Sequence, residues 1–316
     1  MILRRLLPGL ALALLAFLGA GLLGPGELVV LNNVVVLALF AVATNLLLGT
    51  TGLVSFGQAC FYGVGGYTVA IAWYQHWAGF WVSACLAPFI GGFVAFLVGM
   101  LVLRSRRWFF ALLTMAFSQL FFTIAQKAYD ITQGDSGIFG AMVPDWMADP
   151  RGGSLFIVAV ATISILLLWL IDRSPLGLTL RAIRDNQRRV AGLGVNTYAV
   201  QLLAFTLSGA FCAIAGVLTV VNQQAAYPGM LDWVQSGDPV LVSVIGGMYS
   251  FLGPVVGALI YQLGHDVIVR ITTRWQLALG LVLLAVVLLF PDGLAGLFRA
   301  EAWQALANRV LRRRPA

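Results

Sequence analysis

Residues 49–67 read GTTGLVSFGQACFYGVGGY, a glycine-rich stretch in which hydroxyl and amide groups lie among apolar side chains. Apolar runs flank it on both sides. In lipid an unpaired backbone group costs several kcal/mol, so irregular backbone survives only inside protein or beside water. The stretch therefore predicts a broken membrane-spanning element with Ser55, Gln58 and Tyr62 turned towards a translocation pathway. Tight helix packing through small residues explains the same glycines, and the sequence leaves both interpretations open.

The composition of the whole chain supports a membrane protein. Of 316 residues, 60% are hydrophobic and 10% are charged, and the mean hydropathy is +0.94; soluble domains carry about 25% charged residues. A spanning helix needs about 20 apolar residues. We predict an all-α polytopic membrane protein of one domain over residues 1–316, with about ten transmembrane helices, some of them broken. The predicted spans are 6–24, 27–49, 51–77, 82–103, 109–127, 154–172, 198–222, 233–250, 252–269 and 276–291.

The basic residues predict how these spans are oriented, because Lys and Arg stay preferentially in the cytoplasm. Fifteen of the 19 basic residues lie in four clusters between apolar runs: Arg4/Arg5, Arg104/Arg106/Arg107, Arg173/Arg181/Arg184/Arg188/Arg189 and Arg299/Arg309/Arg312/Arg313/Arg314. An even number of crossings between clusters places both termini in the cytoplasm, with a cytoplasmic loop at 173–197 and a basic tail at 292–316. These loops and the lipid surface account for the net charge of +7, so nucleic acid is not an expected partner.

The glycine-rich elements recur at matching places in the chain. The spans from 27 to 127 and those from 198 to 291 run with opposite polarity, and in each set the second element is rich in glycine. Inverted repeats with broken helices at matching positions are common in transporters and point to the pathway. Residues 233–269 fit either two short crossings or a re-entrant loop.

The second broken region, residues 238–258, contains Gly253 and Gly257 at the spacing that favours close helix contact. Asp238 precedes Pro239, an arrangement typical of a helix start, although an ionisable group at membrane depth is also a functional candidate. Four more residues belong to the predicted pathway. Asn45 lies near the end of the run 27–49, and Ser243, Gly246 and Gly247 lie in this second broken region.

The third informative stretch is the basic loop. Residues 178–193 have helical composition, with Ile183, Val190 and Leu193 near one face and arginines on the others, and Gly192 and Gly194 end the helix. Such a helix either sets the topology of the chain or docks a soluble partner. The sequence contains no GxxxxGK[ST] phosphate-binding motif, so ATP binding of that kind would need another subunit.

Catalytic and metal chemistry are not indicated. Cys60, Cys85 and Cys212 are scattered in apolar stretches without metal-ligand spacing, and His76 and His265 are isolated. We expect no cofactor, no metal site and no catalytic residues. A membrane enzyme would need clustered acidic or histidine residues at one face, and a secondary transporter would need buried charges for ion coupling; both are scarce in this sequence.

Three stretches together resemble the branched-chain amino acid ABC-importer permease family, of the LivM type. They are GLVSFGQACFYGVGGY at 52–67, GLTLRAIRDNQRRVAGLGVNTYAVQLLAFTLSGAFCAIAGVL at 177–218 and VLVSVIGGMYSFLGPVVGALI at 240–260, and FPDGLAGL at 290–297 also fits. The resemblance covers about residues 30–298. In two places the chain departs from the family pattern: Met248, Tyr249 and Ser250 follow Gly247, and Gln201 stands where a basic residue is common.

The resemblance implies an ABC-importer permease fold in the bacterial plasma (inner) membrane. It implies a second permease of the LivH type, two ATPases of the LivG and LivF type, and a periplasmic or lipid-anchored substrate-binding protein. It also makes 184–194 the coupling helix, with Arg184, Asp185, Arg188 and Arg189 facing the ATPases. The full set of coupling residues is Arg181, Arg184, Asp185, Asn186, Arg188, Arg189, Ala191, Gly192 and Gly194.

The function that the resemblance implies is import, by alternating access, of branched-chain or other hydrophobic amino acids. ATP hydrolysis would belong to the partner ATPases. A related importer for urea or short amides, and a secondary transporter that works alone, remain the alternatives.

Overall fold

A computed structural model describes residues 24–105, 107–140, 142–271 and four residues beyond, 274, 277, 280 and 281. The first predicted span, most of the span 276–291, Arg4/Arg5, the motif at 290–297 and the tail at 292–316 lie outside the described residues. Within the described ranges, five helices are long and apolar enough to cross a membrane. The predicted fold class, an all-α polytopic membrane protein, is confirmed.

Eleven α-helices are numbered along the described residues. They are α1 (Pro25–Asn45), α2 (Gln58–Tyr74), α3 (Phe80–Val102), α4 (Arg107–Lys127), α5 (Tyr129–Thr132), α6 (Asp145–Ala148), α7 (Pro150–Arg173), α8 (Pro175–Gly192), α9 (Thr197–Gln223), α10 (Gly237–Gly246) and α11 (Gly253–Ile271). A π-helical turn, Leu46–Thr51, continues α1. Strands β1 (Ile138–Phe139) and β2 (Ala225–Ala226) pair antiparallel, and 3₁₀ turns occupy Gly134–Ser136, Pro228–Leu231 and Trp233–Ser236.

The two sides of the helical bundle are distinguished by α8 and by the β1–β2 ribbon. Helix α8 joins the end of α7 to the start of α9, so these ends lie on one side, called here the α8 side. The ribbon joins the chain after α4 to the chain after α9, and marks the opposite, ribbon side. Helix α9 packs against α1, α2 and α3 and forms the centre of the bundle.

Two crossings are broken near mid-depth. After the π-helical turn, residues 52–57 lead from the α8 side to the start of α2, where Gln58 meets Ser208 near the middle of α9. Residues 225–236 enter from the ribbon side, and the Leu231 carbonyl accepts a hydrogen bond from Ser118 near the middle of α4. Helix α10 then continues to the α8 side. Its ten residues span about 15 Å, about half of a bilayer core.

The two broken crossings run in opposite directions and meet where their helices begin. The backbone N–H of Ala59, at the start of α2, donates to the Ser236 hydroxyl, just before α10, over 2.8 Å. This is the arrangement that an inverted repeat with broken second elements predicts. Residues 225–246 reach from one side to the other, and α11 returns from the α8 side.

Glycines allow the broken elements to pack closely. A Cβ atom on Gly216 of α9 would lie 1.8 Å from the Tyr62 carbonyl oxygen of α2, and one on Gly257 of α11 would lie 2.1 Å from the Val242 carbonyl oxygen of α10. Gly257 belongs to the predicted close-contact pair, and the structure places that pair against α10. Small residues therefore set the distance between neighbouring helices here.

We expect Gly216→Ala to lower the free energy of unfolding by about 3 kcal/mol or more, because the added methyl group forces α2 and α9 apart. The measurement is thermal unfolding of the purified chain in detergent. Gly264→Ala is the matched control, since Gly264 is also helical but has open space around its Cβ position. Equal unfolding temperatures for the two variants would contradict this account of the α2–α9 contact.

Candidate functional site

A buried polar cluster surrounds Gln58 at the start of α2. The Gln58 amide nitrogen donates to Ser55 over 3.2 Å, and its amide oxygen accepts from the Ser208 hydroxyl at 3.2 Å and from the Cys212 thiol at 3.4 Å. Ser208 also donates to the Ala43 carbonyl of α1. Gln58 thus connects the irregular segment to α1 and α9, and its polar atoms are satisfied within this chain.

The other predicted pathway residues are buried as well. The Tyr62 and Thr219 hydroxyl groups share a 2.5 Å hydrogen bond, and the Tyr62 ring stacks on Phe40. Ser243 donates to Ala41 and Pro239 carbonyls. All seven residues of the predicted set are buried, namely Asn45, Ser55, Gln58, Tyr62, Ser243, Gly246 and Gly247. The geometry favours the interpretation as helix packing, and a pathway role for these residues stays a prediction.

Helix α8 has one buried and one exposed face. Leu180, Ile183 and Val190 are buried against the bundle. Leu193, which we predicted on the same face, is 80% exposed; α8 ends at Gly192, so Leu193 lies beyond the helical repeat that orients the other three. The exposed residues of the predicted coupling set are Asp185, Asn186, Arg188, Arg189, Ala191, Gly192 and Gly194.

The backbone of α8 is interrupted near its middle. Asn186 adopts extended angles (φ −159°, ψ 95°), and its side-chain oxygen accepts a hydrogen bond from the Arg189 N–H at 2.9 Å. This contact caps the second part of the helix. Arg188 and Arg189 therefore project to solvent from a short helical piece of their own, in which Val190 is buried, and the piece before Asn186 packs on the bundle through Leu180 and Ile183.

Arg181 is bound to the end of α7. Its guanidinium donates to the Asp172 carboxylate at 2.7 Å and to the Asp172 carbonyl at 2.9 Å. The same carboxylate oxygen accepts from Thr50 in the π-helical turn at 3.2 Å. The ion pair thus joins α8, α7 and the end of α1. Arg181 and Asp172 are partly buried, so the pair is less screened than an exposed one.

Arg184 reaches further into the bundle. It donates to the Gly49 carbonyl at 2.6 Å and lies over the Tyr249 ring at 5.2 Å. Its stem crosses Gly52, where a Cβ atom would lie 2.8 Å from the Arg184 Cγ. Gly52 has φ +74°, which favours glycine independently. The Arg184 side chain is therefore directed at the helical bundle, and the prediction that it faces an ATPase stays a prediction.

The contacts of Arg181 and Arg184 border a small cavity on the α8 side. Asn45, at the end of α1, donates to the Met248 carbonyl at 3.0 Å across this cavity. Its lining comes from α1, α7, α8 and the connection between α10 and α11. Among the residues that the structure describes, no group of three or more metal-ligating side chains occurs. The lining residues bring four parts of the fold together at this cavity.

Comparison with known proteins gives the family. The profile described as "Branched-chain amino acid transport system / permease component" matches residues 28–290. The chain belongs to this permease family. Its glycine-broken crossings and its α8 cavity therefore belong to a transport permease.

Two relatives match nearly the whole chain. The high-affinity branched-chain amino acid transport system permease proteins LivM of Salmonella typhimurium and Escherichia coli K12 are 24% and 26% identical to it, over 92% of this chain and 75% of each relative. The galactofuranose transporter permease protein YtfT of Escherichia coli K12 is 32% identical, but over 42% of this chain and 41% of its own length. No solved structure matches.

Sequence reasoning missed several residues that organise this permease. Ser236 and Ser208 supply hydroxyl groups at the centre of the bundle, and Asp172 receives Arg181 and Thr50. Gln119 is exposed near the middle of α4. The sequence carried a signal for the last of these: Gln119, Thr123 and Gln126 follow one another at helical spacing in an otherwise apolar span.

We expect Ser236→Ala to destabilise the chain by about 1–3 kcal/mol, because the Ala59 N–H would lose its acceptor in a buried place. Amide hydrogen exchange at residues 57–60 should accelerate together with a fall in the thermal unfolding temperature. Ser136→Ala, at an exposed position on the ribbon side, is the control and should leave both quantities unchanged. Unchanged exchange in Ser236→Ala would show that the junction does not depend on this bond.

Proposed function

We propose that the chain is the permease subunit of an ATP-binding-cassette importer for branched-chain or other hydrophobic amino acids, in the bacterial plasma membrane. The observation that carries the proposal is the two-sided construction of α8. One part of α8 is fixed to the bundle by Leu180, Ile183 and Arg184, and the other presents Arg188 and Arg189 to solvent. A helix that only set topology would not need the fixed contacts.

The exposed part of α8 would dock the ATPases. Asp185, Arg188 and Arg189 offer charges of both signs, and Ala191, Gly192 and Gly194 offer little side-chain bulk, so a partner surface can approach the backbone. The absence of a phosphate-binding motif from the sequence fits hydrolysis on other subunits. The chain itself is then a transport subunit rather than an enzyme.

The fixed part of α8 would transmit the motion. Arg181 connects it to Asp172 and Thr50, and Arg184 connects it to Gly49 and Tyr249. A displacement of α8 would therefore move the end of α1 and the α10–α11 connection together. Helix α10 leads from that connection to Ser236 and the start of α2. Alternating access would follow from this coupled displacement in two permeases that enclose the pathway.

The proposed partners are those of a four-subunit importer core with an external binding protein. They are a second permease, LivH-like, two ATPases, LivG- and LivF-like, and a periplasmic or lipid-anchored substrate-binding protein. In this assembly α8 and both termini lie in the cytoplasm. The LivM likeness over 92% of the chain supports this assignment more than the partial likeness of YtfT supports a sugar.

The rival functions make different demands. An importer for urea or short amides would use the same α8 contacts and differ in substrate alone. A secondary transporter working alone would have no use for the exposed basic part of α8 and would move solute along an ion gradient without ATP.

We expect Arg188→Glu with Arg189→Glu to abolish co-purification of the ATPases, because both positive charges at the docking surface are reversed. Arg184→Ala should instead leave the ATPases bound and hydrolysing ATP, but remove the stimulation by a loaded binding protein. Both are measured on the complex in lipid nanodiscs. Arg151→Glu, exposed at the opposite end of α7, is the control. If Arg184→Ala loses the ATPases and Arg188→Glu/Arg189→Glu keeps them, the assigned roles are wrong.

We expect uptake of leucine into proteoliposomes that contain the complex, ATP and the binding protein, with competition by isoleucine and valine. Uptake of an aromatic amino acid and of urea is measured in parallel. Transport of urea and not leucine would replace the amino-acid assignment and leave the importer assignment intact. Solute movement by the isolated chain along an ion gradient would overturn both.

A further inference from the structure

Helix α4 presents polar side chains among exposed apolar ones such as Leu112, Leu120 and Ile124. Gln119 is exposed near the middle of the helix, and Thr123 and Gln126 are half-buried one and two turns further along. The hydroxyl group of Thr123 donates to the Gln119 carbonyl, and the helical spacing of the three residues places them along one stripe. An amide exposed to hydrocarbon at this depth would lose its hydrogen bonds to water. The stripe therefore indicates a surface that lipid does not cover.

The two irregular segments pack against the buried side of the same helix. The Phe56 N–H donates to Thr114 of α4 at 3.1 Å, and Ser118 of α4 donates to the Leu231 carbonyl at 2.7 Å. Both 3₁₀ turns of residues 228–236 contact α4. Residues 52–57 and 228–236 thus approach the same helix from opposite sides of the bundle and flank its middle.

Both segments also expose residues. Val54 is 42% exposed and Trp233 is 36% exposed, while Phe56 and Asp232 are half-buried. The Asp232 carboxylate accepts from the Val234 N–H at 3.2 Å. Irregular backbone at membrane depth requires cover by protein or by water, and a carboxylate at that depth marks a substrate or ion route by default. Like the exposed amide of Gln119, these groups therefore require a surface that lipid does not cover.

We propose that this face lines the translocation pathway, opposite the second permease. It is defined by six residues: Val54, Phe56, Gln119, Thr123, Asp232 and Trp233. The inference rests on the proposed function, because two permeases enclose the pathway only in such an importer. The proposed pathway therefore runs along a surface next to the buried residues around Gln58, and not through those residues.

The chemistry of the face fits a zwitterion with an apolar side chain. Val54, Phe56 and Trp233 offer apolar contact, Gln119 and Thr123 offer neutral hydrogen-bonding groups, and the Asp232 carboxylate offers a partner for an ammonium group. The surface therefore faces a second permease across a water-filled route. The ligand that passes along this route is an amino acid with a hydrophobic side chain.

The test is labelling of single cysteines by a charged, water-soluble methanethiosulfonate in the assembled complex in nanodiscs. Cys85→Ser removes the exposed native thiol, and Cys60 and Cys212 are buried. Gln119→Cys probes the face. Phe93→Cys is the matched control, because Phe93 is 62% exposed on α3 among apolar neighbours. We expect Gln119→Cys to react at least about tenfold faster, since a thiol reacts as its thiolate, which lipid disfavours.

The outcomes separate three surfaces. Fast labelling of Gln119→Cys, slowed when binding protein and leucine are supplied, supports the pathway. Equal, slow labelling of Gln119→Cys and Phe93→Cys means that lipid covers the face, and overturns the proposal. Labelling in the isolated chain that disappears in the complex means dry contact with the partner, and also overturns it. Stimulation of ATP hydrolysis by loaded binding protein, measured first with the Cys85→Ser complex, shows separately whether the importer assignment stands.

A second variant tests the assigned ligand chemistry. Asp232→Asn keeps an oxygen for the Val234 N–H but removes the charge, so the local turn should be preserved. We expect leucine uptake to fall at least about tenfold, as for loss of a charge-assisted contact. Unchanged uptake would remove Asp232 from the pathway.

Discussion

The hydrogen bond between the Ala59 N–H and the Ser236 hydroxyl is the contact on which the centre of the bundle depends. Helices α2 and α10 both begin at mid-depth, and each brings unsatisfied N–H groups to a place without bulk water. Ser236 satisfies one of them, Ser55 accepts from Gly57, and the Gln58 side chain bonds to Ser55 and Ser208. The break in the two crossings is tolerated because hydroxyl and amide groups of this chain surround it.

Helix α10, the helical part of the second broken crossing, connects the centre of the bundle to the α8 side. Helix α10 ends at Gly246, and the next residues are held by Asn45 and stacked under Arg184. Since α10 is short and has a hydrogen-bonded contact beyond each end, we expect a shift of its α8 end to reach Ser236. In the proposed mechanism this short helix is the route by which a displacement of α8 reaches the segments that flank α4.

Sequence patterns predicted those features that depend on local periodicity. The apolar runs at 82–103, 109–127 and 198–222 correspond to α3, α4 and α9, and Asp238-Pro239 lies in the first turn of α10. The burial of the polar side chains could not be predicted, because a serine in a glycine-rich stretch is equally typical of tight helix packing and of a pathway lining. Gln58 is buried against partners 150 or more residues away, such as Ser208. The direction of Arg184 likewise depends on the π-helical turn, which no local signal indicated.

Three departures from regular α-helix converge at Arg184: the π-helical turn, the α10–α11 connection and the interruption at Asn186. The magnitudes are consistent with a reversible link. A hydrogen bond from a charged donor contributes about 1.5–3 kcal/mol, and a cation–π contact about 0.5–2 kcal/mol. Their sum, about 2–5 kcal/mol, overlaps the upper part of the range of about 1–3 kcal/mol that is typical of coupling free energies between sites. In the proposed mechanism, this contact would bias α1 and α10 together and would break and re-form in each transport cycle. The acceptor is the Gly49 carbonyl rather than a side chain, so substitution at position 49 cannot remove this contact directly. The contact depends instead on the Arg184 side chain and on Gly52, which leaves space for the Arg184 stem.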